Sequence, residues 1–427
     1  MKILVLAVIA GIQLAQAATE PLVFRTLLII KRFSEIDYEG RTIKERMRTK
    51  DISAVSQAFK NYTPYWISRL TDGRIQWDAD VVVSDIPLRT VSPSPTGYWV
   101  SPSDVREDIQ RYVKLGAYDG VFIYWKPGEI NGGFGWAIGP TEGVRYCGYT
   151  CVAYMEPEQW TRKNEITEVF IHEWLHQLEG FYGQRRLRLP RGGLHGADNY
   201  GFKHDNGWKD WYKAFLNGTI PEENKQFSGL GEAAWKYGTI REQFRIFCPD
   251  FVTPERKRYN RVSNGSFETT AHKANPWKLY TRADTQTVIR VDPRSAYEGR
   301  SSLQLSSLTG TVIRIGQTVK VRQNQLYLLC GRIKTENVES IEPFTDTGAG
   351  LEVLETKTFS TFLSGSNDWN YLITPFNTWQ HKTITICASL GKEAYPVTGT
   401  AWYDDIQLVP IKAKELPPIN VRLTPSD

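Results

Sequence analysis

The segment HEWLH, residues 172–176, contains the residues whose types and spacing carry the clearest chemistry. On a helix, His172 and His176 project from one face one turn apart, so both imidazoles can reach the same metal ion. Glu173 lies beside them, where it can take a proton from a metal-bound water and return it to a leaving amine. The chain contains only six histidines, so chance alone rarely produces this pattern. We therefore predict a zinc site that hydrolyses peptide bonds, with Glu173 as the general base.

A third zinc ligand is expected downstream, because a catalytic zinc ion has three protein ligands and one position open for water. The segment LHGADNYGFKHD, residues 194–205, supplies the candidates. His195 is favoured, since it is the nearest ligand-type side chain after a loop long enough to return to the helix. Asp198 and His204 remain alternatives. Tyr200 in the same segment can donate a hydrogen bond to a developing oxyanion.

The motif resembles that of the zincin metallopeptidases, and the resemblance covers residues 22–205. It implies an α+β catalytic domain, a zinc cofactor and a protein or glycoprotein substrate. The metzincin subfamily does not fit, because Glu179 and Tyr182 stand where it has Gly and His, and no Met follows the motif. The subfamily with a glutamate ligand does not fit either, because no Glu lies between Glu179 and Glu222.

The first half of the chain alternates strand and helix patterns that would build a frame around this motif. Apolar, β-branched runs predict strands at residues 23–30, 75–83, 121–125, 136–138 and 151–155. Helical spacing predicts helices over residues 51–70, broken at Pro64, and 103–113. The motif helix is predicted to begin at Asn164 and to end at Gly180.

From residue 264 onward the pattern changes to short alternating strands separated by turns, which predicts an all-β, jelly-roll-like sandwich. The predicted strands are residues 288–291, 301–305, 312–321, 326–335, 383–388 and 400–408. The segments SNGSFE at 263–268, YEGRSSLQLS at 297–306 and AWYDDIQLV at 401–409 resemble carbohydrate-binding modules of secreted glycosidases and proteases. That resemblance implies a glycan partner and a structural calcium ion between Glu268 and Asp405.

Four tryptophans of this second half, Trp277, Trp369, Trp379 and Trp402, are candidates for stacking on sugar rings, because an exposed aromatic face can cover one. The alternative is that they belong to the core, which the alternating pattern around Trp402 favours.

The N-terminus has the pattern of a Sec signal peptide, residues 1–17, with Lys2 before an apolar stretch and Ala15 and Ala17 at its end. We therefore expect secretion. No later apolar run is long enough to span a bilayer, so no membrane anchor is expected. The net charge is only +5 and the basic residues are spread along the chain, so nucleic acid is not a predicted partner.

Five cysteines in an oxidising compartment leave at least one without a partner in the chain. Cys147 and Cys151 are close enough in sequence to predict a disulfide across a tight turn. Cys330 and Cys387 are either a second disulfide or two reduced core cysteines. Cys248 is then the unpaired thiol.

The predicted organisation is a signal peptide at 1–17, a zincin-like domain at 18–262, a β-sandwich at 263–410 and an extended tail at 411–427.

Two other functions fit parts of the sequence. One is a non-catalytic glycan-binding or adhesion protein with a degenerate zincin domain, which the intact Glu173 disfavours. The other is a glycoside hydrolase, for which Asp119 and Glu129 would be the paired carboxylates.

Overall fold

The computed structural model describes residues 20–417, except 95–96, 133–134, 158–167, 186, 203, 270–275, 282–285, 342–346 and 393–394. The predicted signal peptide, Asn164 and residues 418–427 of the predicted tail lie outside the described residues. No described helix is long and apolar enough to cross a membrane.

The N-terminal region, residues 20–262, combines a mixed sheet with short helices. Its strands are β1 Leu22–Lys31, β2 Phe33–Tyr38, β3 Arg41–Arg46, β4 Ile75–Ser84, β5 Ser92–Ser94, β6 Gly97–Trp99, β7 Gly120–Trp125, β8 Gly135–Ile138, β9 Gly148–Ala153, β10 Ile220–Pro221 and β11 Phe227–Ser228. Its α-helices are α1 Thr49–Gln57, α2 Thr63–Leu70, α3 Arg106–Tyr112, α4 Glu168–Tyr182, α5 His204–Asn217, α6 Gly231–Trp235, α7 Ile240–Gln243 and α8 Pro254–Lys257.

The main sheet of this region has the strand order β4-β1-β7-β9-β8. The first four strands are parallel, and β8 is antiparallel to β9 at the edge. All residues of β7 and β9 are buried, as expected of central strands covered on both faces. Helices α1, α2, α4 and α5 belong to the apolar core on one face, and α3 belongs to the core on the other.

Two predicted helix boundaries are wrong, each for a local physical reason. No break occurs at Pro64, because a π-helical turn, Ala58–Tyr62, joins α1 to α2. Pro64 lies in the first turn of α2, where no backbone N–H is needed. Helix α4 continues past Gly180 to Tyr182. Gly180 packs against the backbone of Gly139, and a Cβ at this position would lie 3.1 Å from the Gly139 Cα.

The C-terminal region is a β-sandwich, which confirms the all-β prediction. Its strands are β12 Lys278–Leu279, β13 Thr287–Asp292, β14 Ser302–Thr311, β15 Ile313–Lys320, β16 Leu326–Ser340, β17 Ala349–Val353, β18 Thr358–Phe359, β19 Gly365–Asn377, β20 Thr383–Leu390 and β21 Val397–Pro410. They form two five-stranded antiparallel sheets, β12-β15-β20-β17-β18 and β13-β14-β21-β16-β19. The sequence pattern did not predict β19, an edge strand that contains Pro375, because proline is tolerated only where a strand lacks a second neighbour.

The sandwich and the N-terminal region share one apolar core. The outer face of the β13-β14-β21-β16-β19 sheet contributes Leu328, Cys330, Tyr371, Ile373, Val409 and Ile411 to the cluster that also surrounds α4. Gln110 of α3 crosses the same boundary, where its side chain donates to the Phe362 carbonyl at 3.0 Å and accepts from the Ser364 N–H at 3.1 Å. The two regions are therefore packed into one body.

Candidate metal centre

Helix α4 directs two histidines away from its apolar, buried side. Phe170, Trp174 and Leu178 are fully buried in the core, whereas His172 and His176 are half-buried. The i, i+4 spacing therefore directs the two imidazoles to the same side, as the sequence predicts. Their Nε2 atoms lie 3.2 Å apart.

His195 reaches the same point from a 3-10 helix, Gly193–Tyr200. Its Nε2 lies 2.9 Å from that of His176, and the metal-binding atoms of the three histidines all lie within 4.8 Å of one another. Two hydrogen bonds hold the start of the 3-10 helix: the Leu194 N–H donates to Glu179 Oε1 at 3.1 Å, and the Trp211 indole donates to the Leu194 carbonyl at 2.7 Å. This is the one such ligand group among the described residues.

The tautomer of His172 follows from its neighbours. Tyr212 donates its hydroxyl proton to Glu168 Oε1 at 2.8 Å, and its oxygen lies 2.6 Å from His172 Nδ1. Because the one hydroxyl proton is already used, His172 Nδ1 must carry the proton in this bond. The Nε2 of His172 is then a lone pair that points into the centre.

His176 has the same tautomer for a similar reason. Its Nδ1 lies 3.1 Å from Glu179 Oε2, and an ionised carboxylate can only accept, so Nδ1 is the donor. The Nε2 atoms of His172 and His176 therefore face each other as lone pairs. The two lone pairs repel each other unless a cation or an added proton lies between the Nε2 atoms.

The spacing suits a metal ion. Two nitrogens bound at about 2.0–2.1 Å to a tetrahedral zinc ion lie about 3.3 Å apart. The Nε2 atom of His176 lies 3.2 Å from that of His172 and 2.9 Å from that of His195, close to this value. The carboxylate of Glu179 and the hydroxyl of Tyr212 supply the outer partners that metal-binding histidines require. These three imidazoles fit zinc. Sequence reasoning missed Tyr212 because its contact with His172 is tertiary. It also missed Glu179, although its spacing of three residues after His176 on one helix could have revealed it.

Glu173 lies on the inner side of the helix, against β8. It is 6% exposed, and burial raises the pKa of its carboxyl to about 7, partly offset by His176. A Cβ on Gly135 of β8 would lie 2.3 Å from Glu173 Oε1, so only glycine leaves room for the carboxylate there. Glu173 is not a member of the ligand group.

The remaining candidates of the 194–205 segment lie differently. The Tyr200 hydroxyl donates to Glu222 Oε1 at 2.7 Å and accepts from the Arg191 N–H at 2.8 Å, so its single proton is already used. Asp198 is exposed and does not belong to the ligand group. The side chain of His204 lies outside the described residues. The oxyanion role of Tyr200 stays a prediction that this arrangement does not favour.

The carboxylates considered for a glycosidase have structural partners. Asp119 is buried, accepts from the backbone N–H groups of Arg25 and Arg241 at 2.8 and 2.6 Å, and burial raises its pKa. Glu129 is largely exposed and forms an ion pair with Arg41. The two therefore serve separate local contacts.

The proposed calcium ligands are also engaged with other groups. Glu268 accepts from the N–H groups of Arg300 and Ser301, and Asp405 lies 3.6 Å from the Lys257 ammonium and accepts from Gln407. They are not part of any three-residue ligand group among the described residues. Calcium binding stays a prediction.

The predicted disulfides are not formed, since all five cysteines are buried free thiols. Cys147 immediately precedes β9 and Cys151 lies within it, so the chain between them runs along an extended strand and does not form the tight turn that the predicted bridge needs. Cys330 lies on the outer face of its sheet, in the shared core. Cys387 is in the opposite sheet and alternates with the core residues Ile386 and Ala388. The sandwich therefore separates them.

Solved structures with a similar shape match only part of the chain. The carbohydrate-binding module TmCBM61, solved with β-1,4-galactotriose, is 17% identical, and the match covers 36% of this chain and 99% of that one with a TM-score of 0.26. A family 16 carbohydrate-binding module is 21% identical over 35% of this chain and 99% of that one, with a TM-score of 0.25.

The enzymatically active domain of tailspike protein 4 from bacteriophage CBA120 is 15% identical over 36% of this chain, with a TM-score of 0.27. The match spans only 22% of that tailspike chain. No protein-family model matches the sequence, and no curated protein matches it.

Two of the four sandwich tryptophans are largely buried, and the other two are partly exposed. Trp277 and Trp402 are each 8% exposed, and Trp277 packs on Phe267 in the sandwich core. The Trp402 indole donates to Asp292 Oδ2 at 3.1 Å, and the Lys334 ammonium lies 5.6 Å from its ring centre. Trp369 and Trp379 are half-buried.

A groove of about 710 Å³ lies beside Trp402, on the sheet β13-β14-β21-β16-β19. Its lining is polar apart from Trp402 and consists of Asp292, Arg294, Ser295, Lys334, Thr335, Glu336, Asn337, Ser366, Asn367 and Asp368. We call this surface the sandwich groove.

Proposed function

We propose that this protein is a secreted zinc-dependent endopeptidase. The observation that supports the proposal is the convergence of His172, His176 and His195, with the lone pairs of the two helix histidines facing each other. When bound, zinc supplies Lewis-acid chemistry, which polarises a carbonyl group and lowers the pKa of water.

The residues around the zinc site have separable roles in this proposal. Glu173 takes the proton of the attacking water and returns it to the leaving amine. Tyr212 and Glu179 hold the histidine tautomers that leave Nε2 free. His195 supplies the third nitrogen and leaves one position for water and substrate.

The edge strand β8 favours a peptide over a sugar as substrate. It ends the main sheet, and Gly135 of β8 is next to the Glu173 carboxylate. An exposed strand edge can pair with an extended peptide through main-chain hydrogen bonds. A peptide added there would run past the general base.

The test combines metal analysis with cleavage of a broad peptide library by the full-length protein. The wild-type protein should bind one zinc ion and cleave, and a chelator should abolish cleavage. Glu173→Gln should keep the zinc and lose turnover by several orders of magnitude, because base and metal act as one unit. Undiminished cleavage by Glu173→Gln, or cleavage without zinc, would refute the proposal.

A second candidate function is glycan binding by the sandwich, with or without catalysis by the N-terminal region. The sandwich groove supports it, because its hydroxyl, amide and charged side chains can form hydrogen bonds with the hydroxyl groups of a sugar chain. The fold alone carries no function.

Glycan binding is tested on the full-length Glu173→Gln protein with a glycan array and insoluble polysaccharides. The exposed groove residue Asp368 should be needed for retention, so Asp368→Ala should weaken binding. Leu308→Ala, an exposed change outside the groove, is the control. Retention that is equal in both variants would place any binding elsewhere.

A further inference from the structure

A second cavity lies at the boundary between the N-terminal region and the sandwich, away from the histidines. Its volume is about 400 Å³, within the range of small-molecule sites. Its walls come from α3, from the 3-10 helix Glu142–Val144 with Arg145 after it, from residues 359–362 at the end of β18, and from Lys392 after β20. Gln110, whose hydrogen bonds join the two regions, forms part of the wall.

Arg145 is the unusual member of this lining. It is 7% exposed, and its guanidinium has no ion pair or side-chain hydrogen bond with any described residue. Burial lowers its pKa to about 10, so the side chain still carries its charge at neutral pH. The neighbouring Cys147 thiol is neutral there, because burial raises its pKa strongly. A buried charge without a partner is costly, and such groups are normally paired.

The other charged side chains of the cavity lining do not offset the cost of burying the Arg145 charge. The cationic side chains are Arg106, Arg145 and Lys392, and the one carboxylate is the exposed Glu142. The Lys392 ammonium lies 4.8 Å from the ring centre of Phe359 and 5.6 Å from that of Phe362. The cavity thus combines excess positive charge with an aromatic wall.

The backbone holds Arg145 in place before any ligand arrives. Arg145 and Tyr146 both have left-handed φ angles, 53° and 61°, which is uncommon for two consecutive residues other than glycine. The Tyr146 ring stacks on Phe247 with centres 3.8 Å apart, and this contact fixes the turn. The main chain from which the Arg145 side chain joins the cavity lining is therefore held by packing.

We propose that this cavity binds a small organic anion, whose carboxylate, sulfate or phosphate group pairs with Arg145 while its body lies against Phe359 and Phe362. The planar guanidinium can donate two parallel hydrogen bonds to such a group. Because both regions contribute to the lining, the bound anion would also bridge the N-terminal region and the sandwich. The proposal does not depend on the metal centre.

The proposal is tested by calorimetric titration of the full-length protein at constant ionic strength. The probes are glucuronate, glucose 6-phosphate, glucose, inorganic sulfate and inorganic phosphate. The two sugar anions should bind and raise the unfolding temperature, and glucose should do neither. Binding of the inorganic ions as tightly as the sugar anions would support the Arg145 pairing and contradict the role of the aromatic wall.

Arg145→Met is the decisive variant, because it keeps the side-chain length and removes the charge. It should weaken binding of the sugar anions by at least about 10-fold. Without ligand it should unfold at a higher temperature than the wild type, since an uncompensated buried charge has been removed. Arg111→Gln is the matched control: Arg111 is on the same α3, exposed, and paired with Glu107, so neither property should change.

Lys392→Gln tests a second cation of the cavity lining, which is half-buried. This variant should also weaken binding of the sugar anions. Failure of every anion to bind the wild-type protein would overturn the proposal. Binding that survives in both Arg145→Met and Lys392→Gln would overturn it as well.

Discussion

At the residue scale, the metal centre depends on which nitrogen of each histidine carries the proton. The chain Glu168–Tyr212–His172 fixes one ring, and the pair Glu179–His176 fixes the other. Outer partners of this kind orient a ligand and increase its basicity. The five side chains therefore act as one unit, although only two of them belong to the sequence motif.

The first residue-scale prediction concerns the third ligand. His195→Ala should weaken zinc binding by more than the roughly 10–100-fold that loss of an outer partner costs, because a metal bond itself is removed. Asp198→Ala is the matched control, since Asp198 lies on the same 3-10 helix and is exposed. Zinc titration of both variants checks the assignment, and one equivalent retained by His195→Ala would show that it is wrong.

The second residue-scale prediction concerns Tyr212. Tyr212→Phe removes the acceptor of the His172 Nδ1 proton and should lower zinc affinity about 10–100-fold while the fold is kept. Tyr200→Phe is the control, because that tyrosine stacks on Trp211 nearby but bonds to Glu222 instead. Equal zinc affinity in the two variants would contradict the proposed role.

At the scale of elements, the site depends on how closely α4 approaches the edge of the main sheet. Two glycines permit this approach: Gly135 leaves space for the Glu173 carboxylate, and Gly139 faces Gly180 backbone to backbone. A side chain at any of these glycine positions would push α4 away from the edge of the main sheet. The glycines therefore set the distance between the general base and a strand-bound substrate.

This arrangement predicts the effect of Gly135→Ala. The new Cβ would lie 2.3 Å from Glu173 Oε1, so the carboxylate must move. We expect kcat to fall by about 10-fold or more, because a displacement near 1 Å can cost about 100-fold in rate. Zinc content should not change. Gly143→Ala, whose Cβ would meet only Thr141 Oγ1 at 3.9 Å, should be neutral, and wild-type turnover by Gly135→Ala would refute the argument.

At the scale of the whole molecule, the two regions share buried apolar surface instead of meeting through a polar linker. The chain between them is also fixed, since Asn260 Oδ1 accepts from the Leu408 N–H at 2.9 Å and the Arg261 N–H donates to the Leu408 carbonyl. A shared core of this kind couples the unfolding of the two regions. An isolated sandwich would expose the face that carries Ile373 and Val409.

The whole-molecule prediction is a single cooperative unfolding transition. Ile373→Ala, at a 6% exposed position of the shared core, should lower the free energy of unfolding by about 2–5 kcal/mol. The decrease should be the same by fluorescence and by circular dichroism in urea. Leu308→Ala, at a 76% exposed site, should change it by less than about 0.5 kcal/mol. Two separate unfolding transitions, only one of which is shifted by Ile373→Ala, would contradict this coupling.

The sequence alone determined the features that depend on local spacing. The i, i+4 histidines, the glutamate between them and the next histidine after the loop follow from helix periodicity, and the alternating strands of the sandwich follow from the pleat. The partner Glu179, three residues after His176 on the same helix, also belongs to these local features. Tertiary structure decided what depends on residues far apart in the chain: the partner Tyr212, the free state of Cys330 and Cys387, and the burial of Trp277 and Trp402. A one-dimensional pattern tells which face a residue occupies, but only packing tells what covers that face. For the same reason the sequence does not predict the cavity around Arg145, since its walls come from both regions.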